Sequence, residues 1–325
     1  MLPIHRLLPS RTLLASCAAV LLLHGPAWAW DIPGHMVVAQ VAYHRLNTNA
    51  LAHLEKLAGQ LQFGTHNFNA VNIAAYADEI KNIGNQFRHW HFIDLGVPDS
   101  HLELLTNPPQ MDPVNGDVVS ALKLCRDVIK GQSSALIANE ATAVALLVHF
   151  VGDIHQPLHC SAHYYTQENV DPGHVHPTTP EHDAGANAIK IVNFADTYTN
   201  LHSFWDKGYK AKRSIFYGAT IKTETDLNTF QTSPNDPKIT AWEQIVLASA
   251  PPASVDLKPD FEAWAKETHA LGASEAYGKL SGNIEKTPRM LSYKYVKNAR
   301  KIAQQRLCLA GFRLAELLNE LYPEH

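Results

Sequence analysis

The densest chemistry in this chain lies between His149 and His159. His149 and Asp153 are four residues apart, so on a helix they share one face. An imidazole and a carboxylate on one face form a natural metal pair. Pro157 ends such a helix and lets His159 turn toward the same centre. A buried histidine followed by an aspartate at a helix end would give the same letters, so this segment needs company.

The company is spread along the sequence. His202 and Asp206 repeat the four-residue spacing, a pairing that also arises often by chance. Asp78 sits in the segment Ala75 to Lys81, where an acid is usually a solvated helix face. His89 and His91 share one face of the alternating stretch Arg88 to Asp94, and the spacing does not choose between them. Trp30 stands five residues before His35. If the chain began at Trp30, its amine and carbonyl could chelate one cation in a five-membered ring.

Together these positions offer five histidines (His35, His91, His149, His159, His202), three aspartates (Asp78, Asp153, Asp206) and one terminal chelator. Nitrogen and carboxylate donors without paired cysteines suit zinc in a hydrolytic site. Nine positions hold three ions if one carboxylate bridges. Several zinc ions close together point to displacement at phosphorus.

The beginning of the chain supports a start at Trp30. Arg6 and Arg11 flank an apolar stretch, Leu13 to Leu23, too short to span a bilayer. Ala27-Trp28-Ala29 is a small-x-small cleavage site, so residues 1–29 read as a signal peptide and 30–325 as one exported domain. A lipoprotein reading ending at Cys17 competes, but the apolar run continues past it. Cleavage removes two arginines and no acid, and takes the formal charge from −4 to −6. That sign excludes nucleic-acid binding through an overall basic face, although divalent cations would reverse it locally. The mature chain keeps Cys125, Cys160 and Cys308, so at most one bridge can form. It has no Asn-x-Ser/Thr acceptor, which favours a bacterial periplasmic or secreted protein.

The elements that must position these residues read mainly as helix. Spaced apolar residues run through Val37 to Leu61, Asn115 to Ile129, Ala141 to Ile154, Phe261 to Tyr277 and Lys297 to Leu321. Arg88 to Asp94 alternates and predicts a strand or an extended segment. Ser161 to Ala186, with Pro172, Pro177 and Pro180, predicts a loop. Apolar residues make up 46% and charged residues 18%, an ordinary globular balance. A single-domain, mainly α, multi-helix fold with little β structure is the simplest architecture.

Taken in order, these segments resemble the zinc-dependent single-strand-specific nucleases of fungi, plants and bacteria, the S-one/P-one or class I nucleases, which share a fold with bacterial zinc phospholipase C. The resemblance rests on Trp30 to His35, Ala75 to Ile80, His91 to Asp94, His149 to His159, Gly185 to Asn187, Asn200 to Asp206, Trp264 to Leu271 and Leu309 to Asn319. It implies one zinc on Asp78, His91, His149 and Asp153, and a second on His159, His202 and Asp206. A third would sit on the Trp30 amine and carbonyl, His35 and Asp153, with Asp153 bridging. It selects His91 over His89 and His159 over His155. A hydroxide between the first and third ions would attack phosphorus, and the second would stabilise the departing 3′ oxygen, giving 5′-phosphate products. Lys81 would offset charge in the transition state. Phe92, Asp94 and Asn187 would hold a base, and aromatic stacking favours single strands because a duplex hides its base faces. The implied substrates are single-stranded DNA and RNA and nucleotides, with no stable protein partner and no membrane span in the mature chain.

The chain departs from the family pattern at Lys207, beside the last ligand, which leaves base preference open. The loop carrying His163, His174, His176 and His182 matches no motif, and the bridges of eukaryotic relatives do not carry over. Two other readings stay in view. One is a phospholipase C on the same fold, which the short Trp30–His35 spacing and Asp206 disfavour. The other is an exported zinc-binding protein without turnover, suggested by the histidine-rich loop.

Overall fold

The computed structural model describes residues 30–81, 85–97, 116–164, 182–192, 200–207, 234, 236–280 and 289–324. The expected cleavage segment 1–29 and the loop residues His174 and His176 lie outside these.

The fold is mainly α, and local signals set most helix starts. Asp31 accepts from Gly34 N to cap α1 (Ile32–Tyr43), with Pro33 in its first turn. Asn47 caps α2 (Thr48–Ala58). Two short strands, β1 (Gln62–Phe63) and β2 (His66–Asn67), form an antiparallel hairpin. A 3-10 turn (Asn72–Ala75) then leads into α3 (Tyr76–Ile80), and α4 (Asn85–His89) follows. A capping box between Asp117 and Ser120 starts α5 (Val118–Ile129). Asn139 caps α6 (Glu140–Asp153), and a 3-10 turn (Pro157–His159) follows it. Then come β3 (Ile191–Val192), α7 (Leu201–Lys207), α8 (Pro237–Leu247) and α9 (Phe261–Leu271), whose last turns widen into a π-helical segment, Gly272–Tyr277. β4 (Arg289–Met290) pairs in parallel with β3, and Ser292 caps the 29-residue α10 (Tyr293–Leu321).

Helix α6 is the centre. Ala141 and every residue from Ala143 to Asp153 are buried, as expected for a helix apolar all round. It packs against α1, α2, α3, α5 and α10, and α1 packs along α10. A second apolar cluster joins Leu158, Ile189, Leu201, Trp205, Tyr277 and Tyr295, under α7 and the start of α10. The C-terminal end of α6 is tied down by buried Arg306 of α10. Its guanidinium donates to His155 O, Thr268 Oγ1 (2.6 Å) and Glu267.

Two sequence expectations change. The helix expected from Val37 to Leu61 is two helices, because Asn47 caps a new start after the turn at His44 and Arg45. The strand or extended segment expected over Arg88 to Asp94 does not form. Arg88 and His89 close α4, Trp90 and His91 form a turn, and Phe92 to Leu95 belong to no helix or strand. Ile93 N then donates to His159 O, and Val97 N to Ala162 O. The alternation reflects Trp90 turning inward onto Phe87 and Phe150 rather than a sheet. Cys125, Cys160 and Cys308 are all buried free thiols, so no bridge forms among them.

Candidate metal centre

Four elements converge on Asp153. His149, one turn earlier on α6, places Nε2 3.2 Å from Asp153 Oδ2. His91, from the turn after α4, brings Nδ1 to 2.9 Å of the same oxygen. His35 of α1 stacks on His149 with ring centroids 3.7 Å apart, and its Nε2 lies 3.4 Å from Asp153 Oδ1. His159, from the 3-10 turn after α6, approaches that oxygen at 3.4 Å through Nδ1. Asp78 of α3 completes a set with His91 and His149. On the other side of His159 stand His202 and Asp206 of α7, with Nε2 of His202 3.5 Å from Asp206 Oδ2. The donor atoms fall into three groups, each within 4.8 Å: His35, His149, Asp153; Asp78, His91, His149; and His159, His202, Asp206. His89 stays apart, half-buried against Phe92.

Trp30 is buried beside two of these groups. Its indole Nε1 donates to Gly152 O at 3.0 Å, and Asp31 N donates to Asp206 O at 3.4 Å. The contact is tight: a Cβ on Gly152 would lie 2.6 Å from His35 Nδ1. Only glycine lets α1 bring His35 this close to α6.

The donor chemistry fits a cation cluster. Buried polar atoms normally find partners. Yet His35 Nδ1 and Nε2, Asp78 Oδ2, His91 Nε2, Asp153 Oδ1 and His159 Nε2 make no hydrogen bond among the described residues. Three rings are fixed through their other nitrogen. His149 Nδ1 meets Ala74 O at 2.6 Å, His159 Nδ1 meets His91 O at 2.7 Å, and His202 Nδ1 meets Gly185 O at 2.6 Å. A carbonyl can only accept, so each Nδ1 carries the hydrogen and Nε2 is the ring nitrogen left to face a metal. Burial, and then His149, hold His35 down to about 4. Burial alone would raise Asp78 and Asp153. His149 with Lys81 brings Asp78 to about 2, and His149 with His159 holds Asp153 well below the ordinary carboxylate range. Charged carboxylates beside a neutral His35 are the protonation state that metal binding requires.

The remaining expected residues border this cluster. Lys81 is buried, its Nζ 3.0 Å from Asp78 Oδ1. Phe92 is half-buried one residue after His91. Asp94 O accepts from Tyr164, and the Asp94 carboxylate lies 3.5 Å from His182, with burial pushing it up to about 7. Asn187 is half-buried and donates to Ala184 O.

The S1/P1 Nuclease profile matches residues 30–323. The chain belongs to the S1/P1 nuclease family. Nuclease S1 of Aspergillus oryzae is 26% identical over 321 residues, which is 94% of this chain and 96% of the relative. Endonuclease 3 of Arabidopsis thaliana is 24% identical, covering 91% and 90%. Nuclease P1 of Penicillium citrinum is 28% identical over 187 residues, covering 54% and 57%. As a member of this family the chain is a phosphodiesterase of the nuclease class. No helix among the described residues is long and apolar enough to cross a membrane.

For this nuclease, sequence reasoning missed the groups that aim the donors. Gln156 Nε2 donates to Asp206 Oδ1 at 2.6 Å. Asp183 is buried and accepts from Tyr277 OH, His163 N and Ala186 N. It thereby holds a turn in which Ala184, Gly185 and Ala186 all have positive φ, at 52°, 62° and 66°. Such backbone costs about 1–3 kcal/mol per strained non-glycine residue. The turn also presents the Gly185 carbonyl to His202, and a Cβ on Gly185 would lie 2.5 Å from Leu158 O. Asp183 lies two residues before the Gly185–Asn187 motif and Ala186 lies within it, but nothing in their types reveals the backbone conformation.

Proposed function

We propose that this chain is an exported trinuclear zinc endonuclease. Its reaction is hydrolysis of phosphodiester bonds in single-stranded DNA and RNA to 5′-phosphate products, with 3′-nucleotidase activity on nucleotides. The observation that carries the reading is the packing of Trp30 against Gly152, beside Asp153, at the residue where the family match begins. Removal of residues 1–29 makes the Trp30 amine and carbonyl available as donors next to His35 and Asp153. The remaining ligands are then Asp78, His91 and His149 with Asp153, and His159, His202 and Asp206. Residues 30–325 act as one nuclease domain.

Zinc held by these residues supplies Lewis acidity and a nucleophile from water near neutral pH. The protein's own groups do the rest. Carbonyls of Ala74, His91 and Gly185 lock the imidazoles, so the donors need no reorganisation as charge develops. Lys81, held at Asp78, adds positive charge beside the reacting phosphate. Phe92 offers a face for stacking, and Asp94 and Asn187 offer polar groups to a base edge. An unstacked base from a single strand fits such a platform and a duplex does not.

The test is the native mass of the exported protein together with its action on single-stranded oligonucleotides. A chain beginning at Trp30 with three zinc ions, releasing 5′-phosphates, is expected. A different first residue with full activity, or one or two zinc ions in the active protein, would overturn the third site.

A further inference from the structure

Away from the metal cluster, a groove of about 790 Å³ opens along the start of α10 and the π-helical end of α9. Lys279, Lys294, Lys297, Arg300 and Lys301 line it, and Glu275 is its one acid. The Glu275 carboxylate accepts from Asn298 Nδ2 at 2.6 Å. Lys279, Lys294, Lys297 and Lys301 are exposed, and none has an ion-pair partner among the described residues. The Tyr293 ring stands at the rim, 71% exposed. In a chain whose formal charge is −4 overall, these four exposed lysines around one groove are a local reversal of sign. Repulsion among them is a cost that a polyanion would relieve.

We propose that this groove is a second binding site for the backbone of a single-stranded nucleic acid, outside the reacting centre. It rests on the nuclease reading above and names how long substrates are held. Lys294, Lys297 and Lys301 recur on one face of α10 over about 10 Å of helix, a row that follows a strand rather than gripping one phosphate. Tyr293 offers a stacking face, and aromatic stacking plus a basic groove is the sequence-tolerant way to hold a single strand. The groove floor is joined to α7, the helix that carries Asp206. Tyr295, buried in its floor, accepts from Trp205 Nε1 at 3.0 Å, and Trp205 directly precedes Asp206. A long strand cut at the metal cluster therefore has a basic track close to hand, which a substrate with a single phosphodiester cannot use at the same time.

The test compares the zinc-loaded protein with its Lys294→Ala/Lys297→Ala/Lys301→Ala variant. Binding of a phosphorothioate 30-mer oligothymidylate is followed by fluorescence anisotropy between 50 and 200 mM salt, and hydrolysis is followed on an ordinary 30-mer and on a thymidine dinucleotide. Three neutralised phosphates contribute a salt slope of about 2, so affinity for the 30-mer is expected to fall about tenfold with a correspondingly shallower slope. KM for the 30-mer rises with it, while dinucleotide hydrolysis stays within about twofold. Equal affinity and slope in the two proteins would overturn the groove, as would parallel losses on both substrates. A wild-type protein that cleaves neither substrate would instead overturn the nuclease reading, and the anisotropy comparison would still decide the groove. Unchanged thermal melting confirms that the variant is folded.

Discussion

Asp153 belongs to one of the three donor groups and touches a histidine of each of the other two, and its two oxygens face different histidines. Oδ2 lies against His91 and His149, and Oδ1 against His35 and His159. Asp153→Ala is expected to leave those rings without a shared carboxylate, to lower the zinc content measured by atomic emission from the proposed three to one, and to cut nuclease activity by more than about a thousandfold. A variant with full zinc and activity would show that the carboxylate does not bridge. Asp183 has a different signature. Burial raises it to about 6 from an ordinary 3.8, against opposing hydrogen bonds from Ala186, His163 and Tyr277. The folded state therefore holds a proton that the unfolded chain has already lost. That contribution to stability is fully present below about pH 4 and is lost as pH rises through about 6. Asp183→Asn has no such proton, so its melting temperature, measured without metal, is expected to fall less steeply from pH 4 to 6 than that of the wild type.

At the scale of elements, the site depends on how closely α1 and α6 approach. Gly152→Ala would drive a methyl group into the His35 ring. Overpacking of this kind costs about 1–3 kcal/mol, and a shift of a catalytic group by about 1 Å can cost a hundredfold in rate. The expected outcome is loss of one zinc and about a hundredfold lower kcat, with the folded circular dichroism spectrum kept. Retained zinc would place His35 outside the metal set. The helices themselves were readable because α5, α6 and α10 carry long apolar patterns and clear caps at Asp117, Asn139 and Ser292. The alternating stretch at Arg88 misled because period-two burial also arises when a turn throws one large residue, Trp90, into the core.

For the whole molecule, the buried donors make folding and metal binding one equilibrium. Orphaned imidazole and carboxylate atoms are costly in a metal-free core and are satisfied when cations bind. Chelation by EDTA is expected to lower the melting temperature by about 10 °C or more, since ligand at about a thousandfold above Kd contributes roughly 4 kcal/mol. An unchanged melting curve would mean that the donors bind no structural cation. By itself the sequence determined the donor types, the helical spacing of His149 with Asp153 and of His202 with Asp206, and the order of motifs that marks the family, because these are local properties of residue type and period. Spacing left His89 and His91 equivalent until the family resemblance chose His91, while the sequence hid the Asp183 turn and scattered the basic groove between Lys279 and Lys301. Only the tertiary structure decided the turn and the groove, because which carbonyl fixes a ring and which cations share a groove depend on how α1, α6, α7 and α10 pack together, and packing joins residues that the chain keeps far apart.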